Sequence, residues 1–345
     1  MFFSHFLFFR AIMCTKYSGK QVLFTLLTAK TVPKQEWEPF SLTQNFMKQE
    51  DFSMVHTMEN EYLRVGISDA GAELVSIYDK KNKREVIWQA DPAYWKRHAP
   101  VLFPNVGRHY SDHYRVHGQE YPSRQHGFAR DTEFLCTAAS DTSVTHEMTS
   151  SDATRASYPF DFVLRITHSL TDREVQISWE VINKSAQSMY FTIGGHPAFR
   201  VPVLEGTDYS DYSLTFEGQD SLTYLLLDPA SGTAFAEKTC ELKLSEGNCR
   251  LDTHMFDHDA LVFDHSQISR AGILLPDGSP YLELRCEGFP NFGIWSVPGA
   301  PFVCLEPWMG RCDNCGYHGP LDEKPDINSL EPNETFQKSY VIKIF

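Results

Sequence analysis

From Tyr62 onward, apolar and polar residues alternate along the chain with a period of two. The clearest run is residues 175–181, in which Val, Ile, Trp and Val are separated by Gln, Ser and Glu. Successive side chains of a strand point to opposite faces, so this pattern is typical of strands with one buried face. Similar runs predict further strands at 63–67, 74–78, 162–170, 212–216, 261–263, 281–286, 292–297, 302–305 and 340–345.

Turn signals separate the predicted strands at short intervals, among them Asp277-Gly278, Pro298-Gly299 and Pro332-Asn333. No run of ten or more residues after Met58 has helical spacing, and residues 92–97 are expected to form at most one short turn of helix. Short strands with frequent turns are typical of sandwiches and barrels. The sequence therefore predicts an all-β protein built as a large antiparallel β-sandwich.

The chain divides into residues 1–57, an expected N-terminal extension, and residues 58–345, an expected single sandwich domain. The first fourteen residues are rich in aromatics, but they lack the basic start and cleavage site of a signal peptide and are too short to span a bilayer. Because the residues up to Ser53 carry no sustained period, the extension is interpreted as disordered or as a misassigned start, with Met54 or Met58 as the natural start. No linker rich in Pro, Gly or Ser divides residues 58–345.

Composition limits the partners that the protein is expected to have. Its 345 residues carry a net charge of −14, and no cluster of Lys or Arg could follow a phosphate backbone. We therefore expect neither nucleic acid nor a membrane as a partner. The eight cysteines are too sparse for a disulfide scaffold, and Cys136, Cys286 and Cys304 lie within strand-like runs. Buried free thiols in a reducing compartment, the cytoplasm, explain this placement best.

Cys312 and Cys315 form a CxxC motif, and His318 follows three residues later. A structural zinc site is normally four-coordinate and would require further ligands at a similar spacing. The sequence contains no second CxxC. We therefore interpret this segment as a loop and expect no metal in the protein.

Four segments place a polar side chain beside apolar neighbours and glycine or proline. In the first, Arg108 follows the strand-like run 100–107. A surface charge is the simpler explanation, although a guanidinium held there could donate to hydroxyl oxygens. In the second, His126 precedes Gly127, which allows the backbone to approach another group closely. An ordinary turn histidine is the alternative.

The other two segments carry candidate acid–base groups. His196 follows two glycines and precedes Pro197, and these residues restrict the backbone around one imidazole. The alternative is a core histidine satisfied by a backbone carbonyl. Glu306 ends the strand-like run 302–306, and Trp308 would partly desolvate its carboxylate and raise its basicity. The alternative is a strand-end glutamate in solvent.

This set of side chains suits proton transfer at a polar substrate. The sequence has no GxSxG nucleophile motif, no P-loop, no dinucleotide-binding GxGxxG and no HExxH. The paired carboxylates of a glycoside hydrolase stay open, because sequence spacing does not give the distance between two side chains.

At these segments the sequence resembles the aldose 1-epimerase (galactose mutarotase) superfamily, in particular its LacX-like branch. The resemblance extends from about Glu61 to Phe345 and implies a β-supersandwich fold, in agreement with the strand pattern. It rests on five motifs in order, namely LFPNVGR ending at Arg108, QHGFARD around His126, GGHPAF around His196, DALVF starting at Asp259 and FVCLEPW around Glu306.

The resemblance also implies a role for each residue. Glu306 would take the proton of the anomeric hydroxyl, and His196 would donate one to the ring oxygen, so that the ring opens and closes in the other anomeric configuration. Arg108, His126 and Asp259 would hold sugar hydroxyls, with Asp257 as the alternative to Asp259. No metal or organic cofactor is implied.

The expected function is therefore mutarotation of a free hexose by a cytoplasmic monomer or weak homodimer whose partner is the sugar. Two alternatives stay open. A hexose-6-phosphate 1-epimerase would require a basic pocket, for which Arg108 and Arg130 are available. A non-catalytic carbohydrate-binding protein is the other alternative, because fold alone does not determine function.

Overall fold

Burial alternates along the two long neighbouring strands Phe162–Thr171 and Glu174–Asn183. In the computed structural model, which describes residues 53–216 and 218–345 and the backbone of residues 16–17 and 20–21, the four apolar residues of the run 175–181 are all buried. Every other run predicted as a strand also lies at least partly within a strand. The prediction of an all-β protein is confirmed.

The largest sheet has nine antiparallel strands, of which the two long strands occupy the centre. In spatial order the nine strands are Leu135–Ala139, Ser143–Thr149, Phe162–Thr171, Glu174–Asn183, Thr335–Ile344, Pro280–Arg285, Arg270–Leu274, Ser213–Thr215 and Asn248–Arg250.

A second antiparallel sheet has eight strands. Seven of them follow one another in the order Ala234–Lys243, Ser221–Leu227, Leu261–Phe263, Asn291–Trp295, Phe302–Met309, Ile193–Gly195 and Val101–Leu102, and the eighth, Ala198–Arg200, also pairs with Phe302–Met309. Leu164 and Val181 of the nine-stranded sheet share one hydrophobic core with Ile294 and Leu305 of this sheet. The two sheets therefore pack together as a sandwich, as predicted.

Smaller elements complete the described part of the chain. Four strands form a third sheet in the order Val55–Glu59, Leu63–Ser68, Leu74–Asp79 and Arg84–Glu85. Two further pairs join Met189–Phe191 to Asn328–Leu330 and His113–Val116 to Gln119–Pro122. Helical structure consists of the α-turn Asp152–Arg155 and the 3-10 turns Tyr110–Asp112, Ala129–Asp131, Tyr209–Asp211 and Leu321–Glu323. None of the described helices has the length and apolarity needed to cross a membrane.

Contacts group residues 1–50 and residues 51–345 into two separate units. The antiparallel pair Lys16–Tyr17 and Lys20–Gln21 is the described part of the first unit. In the second unit the first strand begins at Val55, three residues before the predicted domain start at Met58. Only Met58 is buried in this strand, so it carries no alternating pattern that the sequence could show. The remainder of the predicted extension lies outside the described residues.

Residues 92–94 form a single turn, within the limit of one short turn expected for 92–97, in which the backbone N–H groups of Tyr94 and Trp95 both donate to the carbonyl of Asp91 at 3.0 Å. One local prediction is corrected by the structure. Cys136 is partly exposed rather than buried, because it lies in the edge strand Leu135–Ala139. Cys286 and Cys304 are buried free thiols, as expected.

Candidate active site

Glu306 lies inside the strand Phe302–Met309, not at its end as the sequence indicated. It pairs with Gly293 of one neighbouring strand, and two residues later Trp308 pairs with Gly194 of the other. Because neighbours cover the strand on both sides and both faces, residues 302–308 are all buried. The carboxylate is only 1% exposed, so the alternative of a solvent-exposed glutamate is excluded.

His196 approaches this carboxylate from the segment between the strands Ile193–Gly195 and Ala198–Arg200. Its backbone N–H donates to the carbonyl of Pro100 at 3.1 Å, and the next carbonyl, of Pro197, accepts from the N–H of Leu305. These two bonds hold the segment against the strand that carries Glu306. Nε2 of His196 consequently lies 3.3 Å from Oε2 of Glu306.

Aromatic rings enclose the imidazole of His196. The indole of Trp95 stacks on it with 4.9 Å between ring centroids. The rings of Trp295 and His126 meet it edge-on, each at 5.6 Å. This packing fixes the ring plane, with Nε2 beside the carboxylate of Glu306.

Burial favours the uncharged form of both members of the pair. It raises the pKa of Glu306 well above the usual value, and the negative charge of Asp259 raises it further. The indole N–H of Trp308 acts in the opposite direction, although it does not complete a hydrogen bond. Burial and the charge of Arg130 lower the pKa of His196 to about 3. Burial thus favours a protonated carboxyl on Glu306 beside a neutral imidazole, so that the pair carries one proton.

His126 has its tautomer set by the backbone. The N–H of Gly107 donates to its Nδ1 at 3.0 Å, so the proton of the neutral ring lies on Nε2. Gly127 cannot be replaced by a larger residue, because a Cβ there would lie 2.2 Å from the carbonyl oxygen of Phe103. The close backbone approach expected at this glycine is therefore present.

The remaining two predicted residues are more exposed. Arg108 is 38% exposed and forms an ion pair with Asp112 at 2.8 Å. Asp259 has a left-handed backbone with φ of 74°, and its carboxylate accepts from the N–H of Ala260. Asp257, the alternative to Asp259, instead contacts His254 at 2.9 Å.

One cavity of about 810 Å³ brings all five predicted residues together. Asp257 does not line it. The sequence analysis missed other lining side chains, most of which lie on turns and loops, because no local pattern reveals where distant segments meet in space. Among these are Trp95, Trp295, Tyr110, Asp112, Asp228 and Ser231.

Two cysteines lie close to the pair. Donor atoms of Cys304, His196 and Glu306 lie within 4.8 Å of one another, so these side chains form a candidate metal-binding group. Cys304 does not line the cavity, however; it packs with Ala198 and Phe302 in a hydrophobic cluster, which does not favour a metal here. Cys312 is buried against Gly107 in the cavity wall, whereas Cys315 is exposed, and both lie in a loop as expected.

Both the sequence and the fold of this chain are similar to those of known proteins. The family model of aldose 1-epimerase matches residues 54–343. The plasmid-encoded protein LacX of Lactococcus lactis subsp. lactis is 32% identical over 298 residues, which cover 84% of this chain and 99% of LacX. Among solved structures, the galactose mutarotase related enzyme from Lactobacillus acidophilus has a TM-score of 0.80 at 30% identity and is matched over 85% of this chain and 97% of its own. A galactose mutarotase-like protein from Lactobacillus casei has a TM-score of 0.77 at 30% identity, with coverage of 85% and 100%.

Proposed function

This chain belongs to the aldose 1-epimerase family, in its LacX-like branch, and we propose that it interconverts the α and β anomers of a free hexose. The observation that carries the proposal is the 3.3 Å contact between Glu306 and His196. A carboxyl and an imidazole that share one proton at the wall of a cavity provide a general base and a general acid within reach of one small molecule. The cavity of about 810 Å³ has the size of a small-molecule site.

The proposed reaction uses both members of the pair. The proton of Glu306 first passes to Nε2 of His196, which leaves a carboxylate beside an imidazolium. Glu306 then takes the proton of the anomeric hydroxyl, the C1–O5 bond breaks as the C1 carbonyl forms, and His196 gives its proton to O5. Rotation about the C1–C2 bond and the reverse transfers close the ring in the other configuration. Protons balance within the pair and the sugar, so this sequence of steps requires no cofactor.

Three further residues would orient the sugar. His126 presents an Nε2–H donor, Arg108 presents guanidinium donors, and the carboxylate of Asp259 accepts. Donors and acceptors around one cavity match the hydroxyl groups of a hexose, each of which both donates and accepts. These contacts would place the anomeric carbon beside Glu306, where positioning contributes to the rate.

The charges of the lining residues favour a free hexose over a hexose 6-phosphate. Arg108 is paired with Asp112, and the carboxylates of Asp228 and Asp259 add negative charge to the same cavity. Arg130 is the observation that supports the phosphorylated alternative, since it lines the cavity and its buried Nε has no hydrogen-bond partner. Rates measured side by side on glucose and glucose 6-phosphate distinguish the two substrates.

Anomer exchange measured by NMR tests the proposed function. We expect the protein to accelerate exchange between the anomers of D-glucose or D-galactose above the buffer rate. Glu306→Gln keeps the shape of the side chain but removes the base, and should lower the rate by roughly 10²- to 10⁴-fold. Glu205→Gln, which changes an exposed glutamate outside the cavity, is the matched control. Calorimetric binding of the sugar without any exchange would instead support a carbohydrate-binding protein.

The proposed partner is the sugar, and the protein is expected to act as a monomer or weak homodimer in the cytoplasm. The free state of the described cysteines supports a reducing compartment. Fractionation and sedimentation of the full chain measure these two properties.

A further inference from the structure

A second cluster of histidine and cysteine lies where the edge of the nine-stranded sheet meets the first strand of the four-stranded sheet. His56 comes from the strand Val55–Glu59, and Cys136 of the edge strand Leu135–Ala139 is the direct partner of His146 in the next strand, Ser143–Thr149. One donor atom from each of the three side chains lies within 4.8 Å of the other two. The cluster therefore joins side chains from three strands of two sheets.

A carboxylate completes the cluster. Oδ1 of Asp69 lies 2.7 Å from Nε2 of His56 and 2.9 Å from Nε2 of His146. Asp69 directly follows the strand Leu63–Ser68, so it reaches the two imidazoles from a fourth element. The carboxylate thus bridges the two imidazoles and lies beside the group of two nitrogen donors and one sulfur.

We propose that His56, Cys136, His146 and Asp69 form a binding site for a divalent metal ion of the zinc type. Zinc takes imidazole nitrogen, thiolate sulfur and carboxylate oxygen as ligands in tetrahedral sites. With metal–ligand distances of about 2.0–2.3 Å, donor atoms of such a site lie roughly 3.4–3.8 Å apart. The spacing of up to 4.8 Å among the donor atoms of His56, Cys136 and His146 must shorten by roughly 1.0–1.4 Å, and the contacts of 2.7 and 2.9 Å between Asp69 and the two imidazoles must lengthen by roughly 0.5–1.1 Å. Side-chain rotation supplies both changes.

Burial at the cluster suits a bound ion that exchanges with solvent. His146 is fully buried, while the side chains of His56 and Asp69 are each 17% exposed and Cys136 is partly exposed. The ion thus has a route from solvent to a ligand fixed in the sheet. Glu133 contributes further negative charge near His146.

The expected consequence of metal binding is structural. The ion would link the strand Val55–Glu59 and Asp69 to the edge of the nine-stranded sheet, in addition to existing contacts such as the hydrogen bond from the N–H of Glu59 to the carbonyl of Asp141. None of the four ligands lines the cavity of Glu306 and His196. Binding should therefore raise the unfolding temperature without being required for anomer exchange.

Cobalt titration of the metal-free full chain tests the site. We expect one Co²⁺ per chain, visible-region bands of a tetrahedral ion and a near-ultraviolet thiolate-to-cobalt band that Zn²⁺ displaces. Cys136→Ser should abolish the thiolate band and weaken binding at least tenfold. Cys240→Ser, which changes another partly exposed cysteine of a strand, should leave both unchanged. His56→Asn is a second ligand variant; it should weaken binding and keep the thiolate band at saturating metal.

The group His196, Cys304 and Glu306 is the competing location for the ion. Loss of the thiolate band in Cys304→Ser with retention in Cys136→Ser would overturn the proposal. So would the absence of stoichiometric binding by the wild-type chain. Circular dichroism of each variant verifies the fold, and anomer exchange before and after chelation with EDTA separates this site from the proposed activity.

Discussion

The backbone N–H of Gly107 donates to Nδ1 of His126, and the backbone N–H of His126 donates in turn to the carbonyl of Gly107 at 2.8 Å. This reciprocal pair joins the segment that carries Arg108 to the segment that carries His126. Because Nδ1 accepts, Nε2 of the neutral ring must carry the proton into the cavity. One side chain thus combines a structural contact with a donor at the cavity, which the proposed function assigns to the sugar.

His126→Asn should separate these two roles. Asparagine places a side-chain oxygen near the position of Nδ1, and it tolerates the φ of 65° found here better than most residues. We expect the unfolding temperature to stay close to that of the wild type, whereas KM rises roughly tenfold because one hydrogen bond to the sugar, worth about 1–1.5 kcal/mol, is lost. Thermal unfolding and initial rates of anomer exchange measure the two effects.

His126→Ala is the control for that experiment. It removes both the acceptor and the donor, so the N–H of Gly107 loses its partner and stability should fall as well as affinity. If the asparagine variant were as unstable as the alanine variant, Nδ1 would not be the structural contact. An unchanged KM in both variants would remove His126 from the set that binds the sugar.

The shared proton of Glu306 and His196 predicts the pH dependence of the rate. Below the active range the pair gains a second proton, and above it the pair loses its only proton, so kcat/KM should be bell-shaped. Burial lowers the pKa of His196 to about 3 and raises that of Glu306, which favours a single proton on the pair between the two limbs. Exchange rates from about pH 2 to about pH 10, corrected for the buffer rate, measure both limbs of the profile.

The His126→Asn variant is also the control for the profile. Burial and the nearby His196 lower the pKa of His126 well below its ordinary value, so His126 is not expected to produce the alkaline limb or to titrate near neutrality. Both limbs of the profile should therefore survive the substitution. A rate that rises steadily with pH and has no alkaline limb would contradict the requirement for a proton on the pair.

Trp308 is held between two glycines of the neighbouring strands. A Cβ on Gly194 would lie 2.5 Å from Cδ1 of the indole, and one on Gly293 would lie 2.3 Å from Cζ2. Gly194→Ala should therefore displace the indole beside Glu306, lower kcat and cost about 1–3 kcal/mol of stability through overpacking. Urea unfolding and exchange rates measure both losses.

The double variant Gly194→Ala/Trp308→Phe tests the cause. The smaller ring leaves room for the added methyl group, so the double variant should lose less stability than the sum of the two single variants. Gly66→Ala is a milder control, because the nearest atom to its added Cβ is Cγ1 of Val55 at 3.3 Å. Strict additivity would show that the methyl group does not act through Trp308.

Strands with one buried face can be predicted from the sequence, whereas strands that are buried on both faces or hardly buried at all show no alternation. The pattern of the run 175–181 was sufficient because its alternate residues are buried in the nine-stranded sheet. Strand Phe302–Met309 is covered on both faces, so alternation disappears, and its prediction ended at residue 305. Strand Val55–Glu59 buries only Met58 and was missed for the opposite reason.

The site could be predicted only in part, for a similar reason. Glu306 and His196 stand beside glycine, proline and tryptophan, which restrict the local backbone and so mark the segments. Trp95 encloses His196 from a turn about one hundred residues earlier in the chain, and no local pattern encodes that contact. The cavity wall at Asp228 and Ser231 depends in the same way on the packing of distant loops.

Asp313 should determine the stability of the loop behind the cavity. Its carboxylate accepts from Nζ of Lys324 at 2.7 Å and from the backbone N–H of Tyr110 at 2.9 Å, and all but 3% of it is buried. Burial alone would raise the pKa of Asp313, but the hydrogen bond from His109 and the charge of Lys324 outweigh it, so the pKa lies below its usual value.

Asp313→Asn leaves the buried ammonium of Lys324 unpaired and should cost roughly 3–5 kcal/mol in urea unfolding at neutral pH. Because the folded-state pKa is lowered, this stabilisation is present above the unfolded-state pKa of about 3.9 and is lost as the pH falls further. The difference in unfolding free energy between wild type and variant should therefore shrink in acid. Asp322→Asn changes an exposed neighbour and should show neither effect. If the difference in unfolding free energy between wild type and Asp313→Asn stayed constant with pH, Asp313 would not be ionised in the folded protein.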